Sequence, residues 1–122
     1  MNDYIETIKK SIELSDVLKD GIDYIKETIV FREYGELDDL TESLLDSVVY
    51  LKKALNPVFL EIKDNEYEKV LKDFENSLSL LKDTLDNGDM DEAVNFIENN
   101  LFLKYEIWKK HLDGKLKKYT YC

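Results

Sequence analysis

The stretch from Asp3 to Glu33, DYIETIKKSIELSDVLKDGIDYIKETIVFRE, decides the fold class. Within it Ile5, Ile8, Ile12, Leu18, Ile22, Ile25 and Ile29 recur at steps of three and four, with Ser15 filling one gap. At 3.6 residues per turn that spacing stacks these side chains on one face of a helix. Asp3, followed three residues later by Glu6, has the pattern of a capping box at its start. Gly21 falls inside the stretch, and a helical glycine is less favourable than alanine by about 1 kcal/mol. The apolar register is the same on both sides of it, which a turn at that point would not require. The spacing therefore favours one helix from about Asn2 to Glu33, ended by Tyr34-Gly35, with a break at Asp20-Gly21 as the alternative.

The same period continues downstream. Leu37, Leu40, Leu44, Val48, Leu51 and Leu55 mark a second helix of about 20 residues. Asn56-Pro57 punctuates it, because proline disfavours a helical conformation in the residue before it and suits the first position of a new helix. Residues 57–64 read as either helix or loop: Phe59, Leu60 and Ile62 are apolar, whereas Asp64-Asn65 followed by Glu68 is a second start signal. From Tyr67 a third stripe runs through Val70, Leu71, Phe74, Leu78, Leu81 and Leu85, and Asn87-Gly88 closes it. Asp89 with Glu92 opens the fourth helix as a capping box. Its stripe is Met90, Ala93, Val94, Ile97, Leu101, Tyr105, Trp108 and Leu112, with Asp113-Gly114 as the C-terminal cap.

Connections this short cannot carry the chain back along a helix, so neighbours must be antiparallel. The expected fold is all-α, an antiparallel up-down-up-down four-helix bundle over residues 1–114, with a basic tail at 115–122. Gly35-Glu-Leu-Asp-Asp-Leu and Gly88-Asp-Met-Asp-Glu-Ala place the same pattern before helices two and four. Two duplicated hairpins and shared turn chemistry are both open as explanations. The tetratricopeptide period and signature are missing.

Composition narrows the function classes. Hydrophobic residues are 43% of the chain and charged residues 36%, enough apolar material for one core and far from the disordered class. Residues 1–100 carry 25 acids against 11 bases, and residues 101–122 carry 2 acids against 6 bases. So acidic a body repels phosphate backbones, which argues against nucleic acid as a partner and favours a basic one. Excess acid that only keeps the protein soluble is the plainer reading. Cys122 is the single cysteine and has no intrachain partner, which fits a reducing compartment. No leader pattern opens the chain and no apolar run approaches a membrane span, so the expected localisation is cytoplasmic, without membrane insertion.

The chemistry-bearing residues are sparse. His111 is the single histidine, so neither zinc nor di-iron bundle sites can be assembled, and no metal is expected. Near a predicted helix end, His111 reads as a solvent-exposed or dipole-complementing residue. No serine or cysteine nucleophile has a convincing base beside it, and paired acids such as Asp38-Asp39 or Asp89, Asp91 and Glu92 suit the first turns of helices. GxxxxGK and GxGxxG stretches are absent, so no nucleotide or other cofactor is expected, and the chain does not read as an enzyme.

What the stripes leave over is apolar. Val30, Phe31, Val49, Tyr50, Phe59, Phe96, Phe102 and Leu103 are displaced by about 100° or more from the core direction of their helices. Either they widen an irregular core, or segment 57–64 folds over them, or they form a partner or self-association face. The candidate partner-binding residues are Val30, Phe31, Val49, Tyr50, Phe102 and Leu103, centred on Phe31, Phe102 and Leu103. Phe102→Asp is expected to abolish binding at such a face without unfolding the domain.

The stretch DYIKETIVFREYGEL at 23–37, followed by LLDSVVYLKKAL at 44–55, resembles small uncharacterised all-helical proteins of low-GC Gram-positive bacteria. In architecture the chain is similar to the flagellar and type III export chaperones. That resemblance implies a cytoplasmic bacterial bundle holding an amphipathic segment of a client. The functional expectation is a non-catalytic adaptor or chaperone-like protein, with a basic or amphipathic helix as partner or a homodimer formed through the same face. The alternative is an acidic inhibitor or nucleic-acid mimic that occupies a basic partner's site.

Overall fold

The 3–33 stretch folds as a single helix, α1 (Ile5–Val30), running through Gly21, in a computed structural model that describes residues 1–121. The lone cysteine, Cys122, lies outside the described residues. Ile8, Ile12, Leu18, Ile22, Ile25 and Ile29 are buried in register, and Ser15 is buried with them. The helix starts differently from the expectation. Asn2–Tyr4 forms a 3-10 turn, with Tyr4 N–H donating to Met1 O at 3.0 Å, so Asp3 lies inside helical backbone and makes no side-chain cap.

The end of α1 is a second correction. The chain leaves the helix at Val30, ahead of Tyr34-Gly35, because Arg32 adopts the left-handed conformation at φ 58°. Arg32 N–H then reaches Ile29 O at 3.0 Å and Glu33 N–H reaches Thr28 O at 2.9 Å, the two bonds of a Schellman cap. Helix α2 (Leu37–Glu61) departs most from the reading, for it runs straight through Pro57. An interior proline is unfavourable by about 3 kcal/mol. Burial of Leu55, Val58 and Phe59, each worth roughly 2 kcal/mol, offsets that. Residues 57–61 are thus helix, and a second Schellman cap with Lys63 at φ 56° turns the chain.

Helix α3 (Tyr67–Asp86) begins where Asp64-Asn65 signalled, with Glu66 N–H donating to Asp64 Oδ1 at 2.9 Å. It ends as expected at Gly88, whose φ of 76° is the left-handed conformation glycine adopts without strain. Asp89 then caps α4 (Met90–Phe96), its carboxylate accepting from Glu92 N–H at 3.2 Å.

The fourth rod is continuous from α4 through a π-helical turn (Ile97–Leu101) into α5 (Phe102–Leu116). The π turn follows from the spacing of its apolar residues. Ala93, Ile97, Leu101 and Tyr105 are separated by three consecutive steps of four, which overshoot whole turns by roughly 120° in an α-helix. One residue accommodated in a π turn removes roughly 100° of that. All four side chains are thereby kept in the core. Asp113-Gly114 does not cap the rod. Leu116, fully buried, holds the helix past Gly114, and a 3-10 turn (Lys117–Thr120) continues against α1.

The rods form an all-α antiparallel four-helix bundle, with no strand among the described residues. Around it the order is α1, α2, α3 and the fourth rod, which closes back on α1. Trp108, Phe74, Leu51, Leu55, Leu81, Ile22 and Leu112 fill its centre, and Trp108 stacks on Phe74 with ring centroids 5.2 Å apart. Among the described residues no helix is long and apolar enough to cross a membrane.

Candidate functional site

Antiparallel packing sorts the charge lengthwise. The end of the bundle holding the α1–α2 and α3–α4 turns, residues 20–42 and 80–98, carries 14 acids against 3 bases. The opposite end, residues 1–10, 61–70 and 108–121, carries 7 acids against 9 bases. The acidic body and basic tail of the sequence become two poles of one object.

At the acidic pole a groove of about 740 Å³ opens between the end of α1 and the start of α4. Ile29 and Val30 come from α1, Met90 and Val94 from α4, and Tyr34 from the turn between α1 and α2. Asp89 and Asp91 stand at its edge, and Arg32 enters through the left-handed turn that ends α1. Val30 is 57% exposed and Phe31, the next residue, is 71% exposed. The groove thus sets aliphatic Val30, Met90 and Val94 in a lining that is otherwise mostly polar, with Asp89, Asp91 and Arg32 as its charges.

The other candidate residues are not gathered into one face. Lys26 pairs with Glu98 at 2.9 Å and Lys109 Nζ reaches Ser15 Oγ at 2.7 Å, which fixes the register of α1 against the fourth rod. In that register Phe31 stands level with Ala93 and Phe102 level with Ile22, about 13 Å apart along the axis. Phe102 is half-buried against the core, so it is no centre of an exposed face and Phe102→Asp would also strain the fold. Leu103 is exposed on the side of α5 toward α3, and Val49 and Tyr50 are exposed on α2, across the bundle from the fourth rod. Phe59 is buried by the continuation of α2, and Phe96 is half-buried. Of the candidate six, Val30 lines the acidic-pole groove.

Two polar clusters were not legible in the sequence. His111 is neither exposed nor at a helix end: its side chain is 13% exposed, and Nε2 lies 2.6 Å from Asp64 Oδ2. Phe59 and Tyr67 stack at 3.6 Å beside it, and Trp108 Nε1–H donates to Tyr67 Oη at 3.3 Å. Burial by itself raises the Asp64 carboxyl, but the bonds from His111 and from Glu66 N–H, with the charges of His111 and Lys115, outweigh it. The net result is a carboxyl held below its ordinary value. Burial pushes the Tyr67 hydroxyl up to about 12, with the bond from Trp108 opposing and the Glu75 charge adding to it.

In the second cluster, Lys109 also meets Asp113 at 2.7 Å and Asp16 at 2.8 Å, while Tyr105 Oη–H donates to Ser15 O at 2.6 Å. Burial, then the charges of Asp16 and Asp113, push the Tyr105 hydroxyl up. Partners separated by 47 and 94 residues leave no local pattern, so nothing in a single sequence marks them. Both clusters tie the fourth rod to its neighbours. Among the described residues no group of three or more His, Cys, Asp or Glu is placed to hold a metal ion.

The model of a family described as a domain of unknown function (DUF8042) matches residues 6–111, most of the chain. No curated protein and no solved structure matches it.

Proposed function

This chain belongs to the DUF8042 family, and from that premise we propose that it is a non-catalytic protein-binding bundle, an adaptor or chaperone-like protein of the cytoplasm. Its acidic pole holds a basic amphipathic segment of a partner. The observation that carries the reading is the groove itself: exposed Val30 with half-buried Met90 and Val94 lines it beside Asp89, Asp91 and Arg32, at a pole whose segments carry 14 acids against 3 bases. An amphipathic helix docks by placing apolar anchors in such a groove, and the surrounding acids steer basic flanks toward it and disfavour acidic ones. The test is a titration of the isotope-labelled chain with a synthetic helix of leucine and lysine and with its leucine and glutamate counterpart. Amide shifts at Ile29, Val30, Met90 and Val94 with the lysine peptide alone are expected. Equal response to both peptides, or none at these residues, overturns the reading.

The same pole supports the alternative of an acidic inhibitor that occupies a basic site by mimicking phosphate charge. The two readings differ in what holds the partner. Binding by a mimic collapses as salt screens the charges, whereas binding anchored in the groove retains an apolar part that salt does not weaken.

A further inference from the structure

A second apolar feature lies along the seam between α3 and the fourth rod, apart from the acidic-pole groove. Ser77 Oγ–H donates to Asn100 Oδ1 at 2.8 Å, and Val70 and Ile107 line one groove, so the register of these two rods is fixed. In it Leu80, Leu103 and Ile107 form a lengthwise exposed strip, 53%, 55% and 45% accessible. The outward positions beside them include Asn76, Asn95 and Asn99, all uncharged. Near the level of Leu103, Asp73 and Lys104 are half-buried and of opposite sign, and the exposed Lys72 and Glu106 are likewise of opposite sign. In a chain that is 36% charged, an outward strip of leucine, isoleucine and asparagine has the composition of an interface centre.

The flanks of this strip are unlike each other. Beyond Ile107 stand Lys69 and Lys110, with Lys115 and Lys118 lining the same groove and Glu66 as the one acid among them. Beyond Leu80 stand Asp83 and Glu92. On the fourth rod Lys110 lies about 10 Å from the level of Leu103 in one direction and Glu92 about 16 Å in the other, at 1.5 Å per residue. A twofold axis through Leu103, perpendicular to the rods, therefore lays the basic flank of one copy over the acidic flank of the other, twice. A parallel arrangement would place like charges together.

Gly114 supplies an independent sign. It sits inside α5, where glycine is less favourable than alanine. Beyond its chain neighbours and its own helix backbone, no described residue comes within 4 Å of where its Cβ would be, so internal packing does not require it. It lines the groove with Ile107 and Lys110, where the bare backbone admits close approach by another chain.

We propose that this strip is the interface of an antiparallel twofold dimer of this chain, leaving the acidic-pole groove free. Isologous pairing closes on itself, which suits a strip with complementary flanks. Sedimentation of the full chain across micromolar concentrations tests it, with circular dichroism confirming the fold of each variant. The wild type is expected to dimerise, and Leu103→Asp to weaken association by about tenfold or more. Lys110→Glu and Glu92→Lys should each weaken it, and the two together should restore it, because these two residues of the fourth rod face each other only across the axis. Gly114→Ala should raise the melting temperature of the fold and still weaken association. A wild type that stays monomeric, or a charge swap in which the double variant associates less than either single one, overturns the proposal. Because the groove residues are untouched, the peptide titration above stands or fails separately.

Discussion

Removing Asp64 should destabilise the bundle far more than its place in a turn implies. Its Oδ2 lies 2.6 Å from His111 Nε2 and its Oδ1 accepts Glu66 N–H at 2.9 Å, with the carboxylate 5% exposed. A charge-assisted hydrogen bond contributes about 1.5–3 kcal/mol. The Asx-type bond that opens α3 adds about 1 kcal/mol, as helix-start caps do. Asp64→Ala should therefore lower stability by about 2.5–4 kcal/mol. His111→Ala should lower it by about 2–3 kcal/mol, since it leaves a buried carboxylate with the Glu66 N–H and Lys115 as its remaining support. Urea unfolding of wild type, both single variants and the double variant gives the coupling, expected at about 1.5–3 kcal/mol. The pH dependence follows the same pair. Because the folded carboxyl titrates below its unfolded value of about 3.9, its stabilisation is present above that pH and is lost as pH falls through the folded value. Asp64→Asn should flatten this acid limb. A coupling under about 0.5 kcal/mol, with an unchanged acid limb, would refute the reasoning.

Three further outcomes are expected. Arg32→Gly should stabilise the chain by up to about 1 kcal/mol, because a left-handed non-glycine residue ends α1, and Gly88→Ala should destabilise it by about 1 kcal/mol at φ 76°; calorimetry of both checks the sign. Ser11→Ala should be neutral to stabilising by about 1 kcal/mol, since Ser11 Oγ is buried with no hydrogen-bond partner among the described residues, and denaturant melts read it directly. At high pH, Tyr67 contributes stability that is intact below about 10 and is lost between about 10 and 12, since its folded value is the raised one; tyrosinate absorbance should show that step arriving with unfolding, and Tyr67→Phe should remove part of it.

The fold was legible because it rests on local periodicity. Steps of three and four placed Ile8 to Ile29, Leu44 to Leu55 and Phe74 to Leu85 in the core, and Gly88 turned the chain where expected. Boundaries failed where tertiary burial outweighed local signals. Val58 and Phe59 carry α2 past Pro57, Leu116 carries α5 past Gly114, and Arg32 takes the conformation Gly35 was expected to supply. The π turn had a visible trace in three successive steps of four from Ala93 to Tyr105. The apolar leftovers were identified as residues but not as a surface, since helix phase gives a direction and says nothing of height along the bundle. Height separates Val30 from Phe102, and the same register converts a charge asymmetry along the chain into two poles. The Asp64–His111 and Lys109 clusters join residues too far apart in sequence for any spacing to reveal.

If the acidic-pole groove holds a partner, substitution at Val30 must release it. The most direct test is affinity capture from a lysate of the source organism at low and high salt, with wild type, Val30→Asp and Leu103→Asp as baits. The expected result is a protein with a basic amphipathic segment that is retained by wild type and Leu103→Asp, lost with Val30→Asp, and only partly released by salt. A partner that Val30→Asp retains, or no partner beyond the bait, contradicts it.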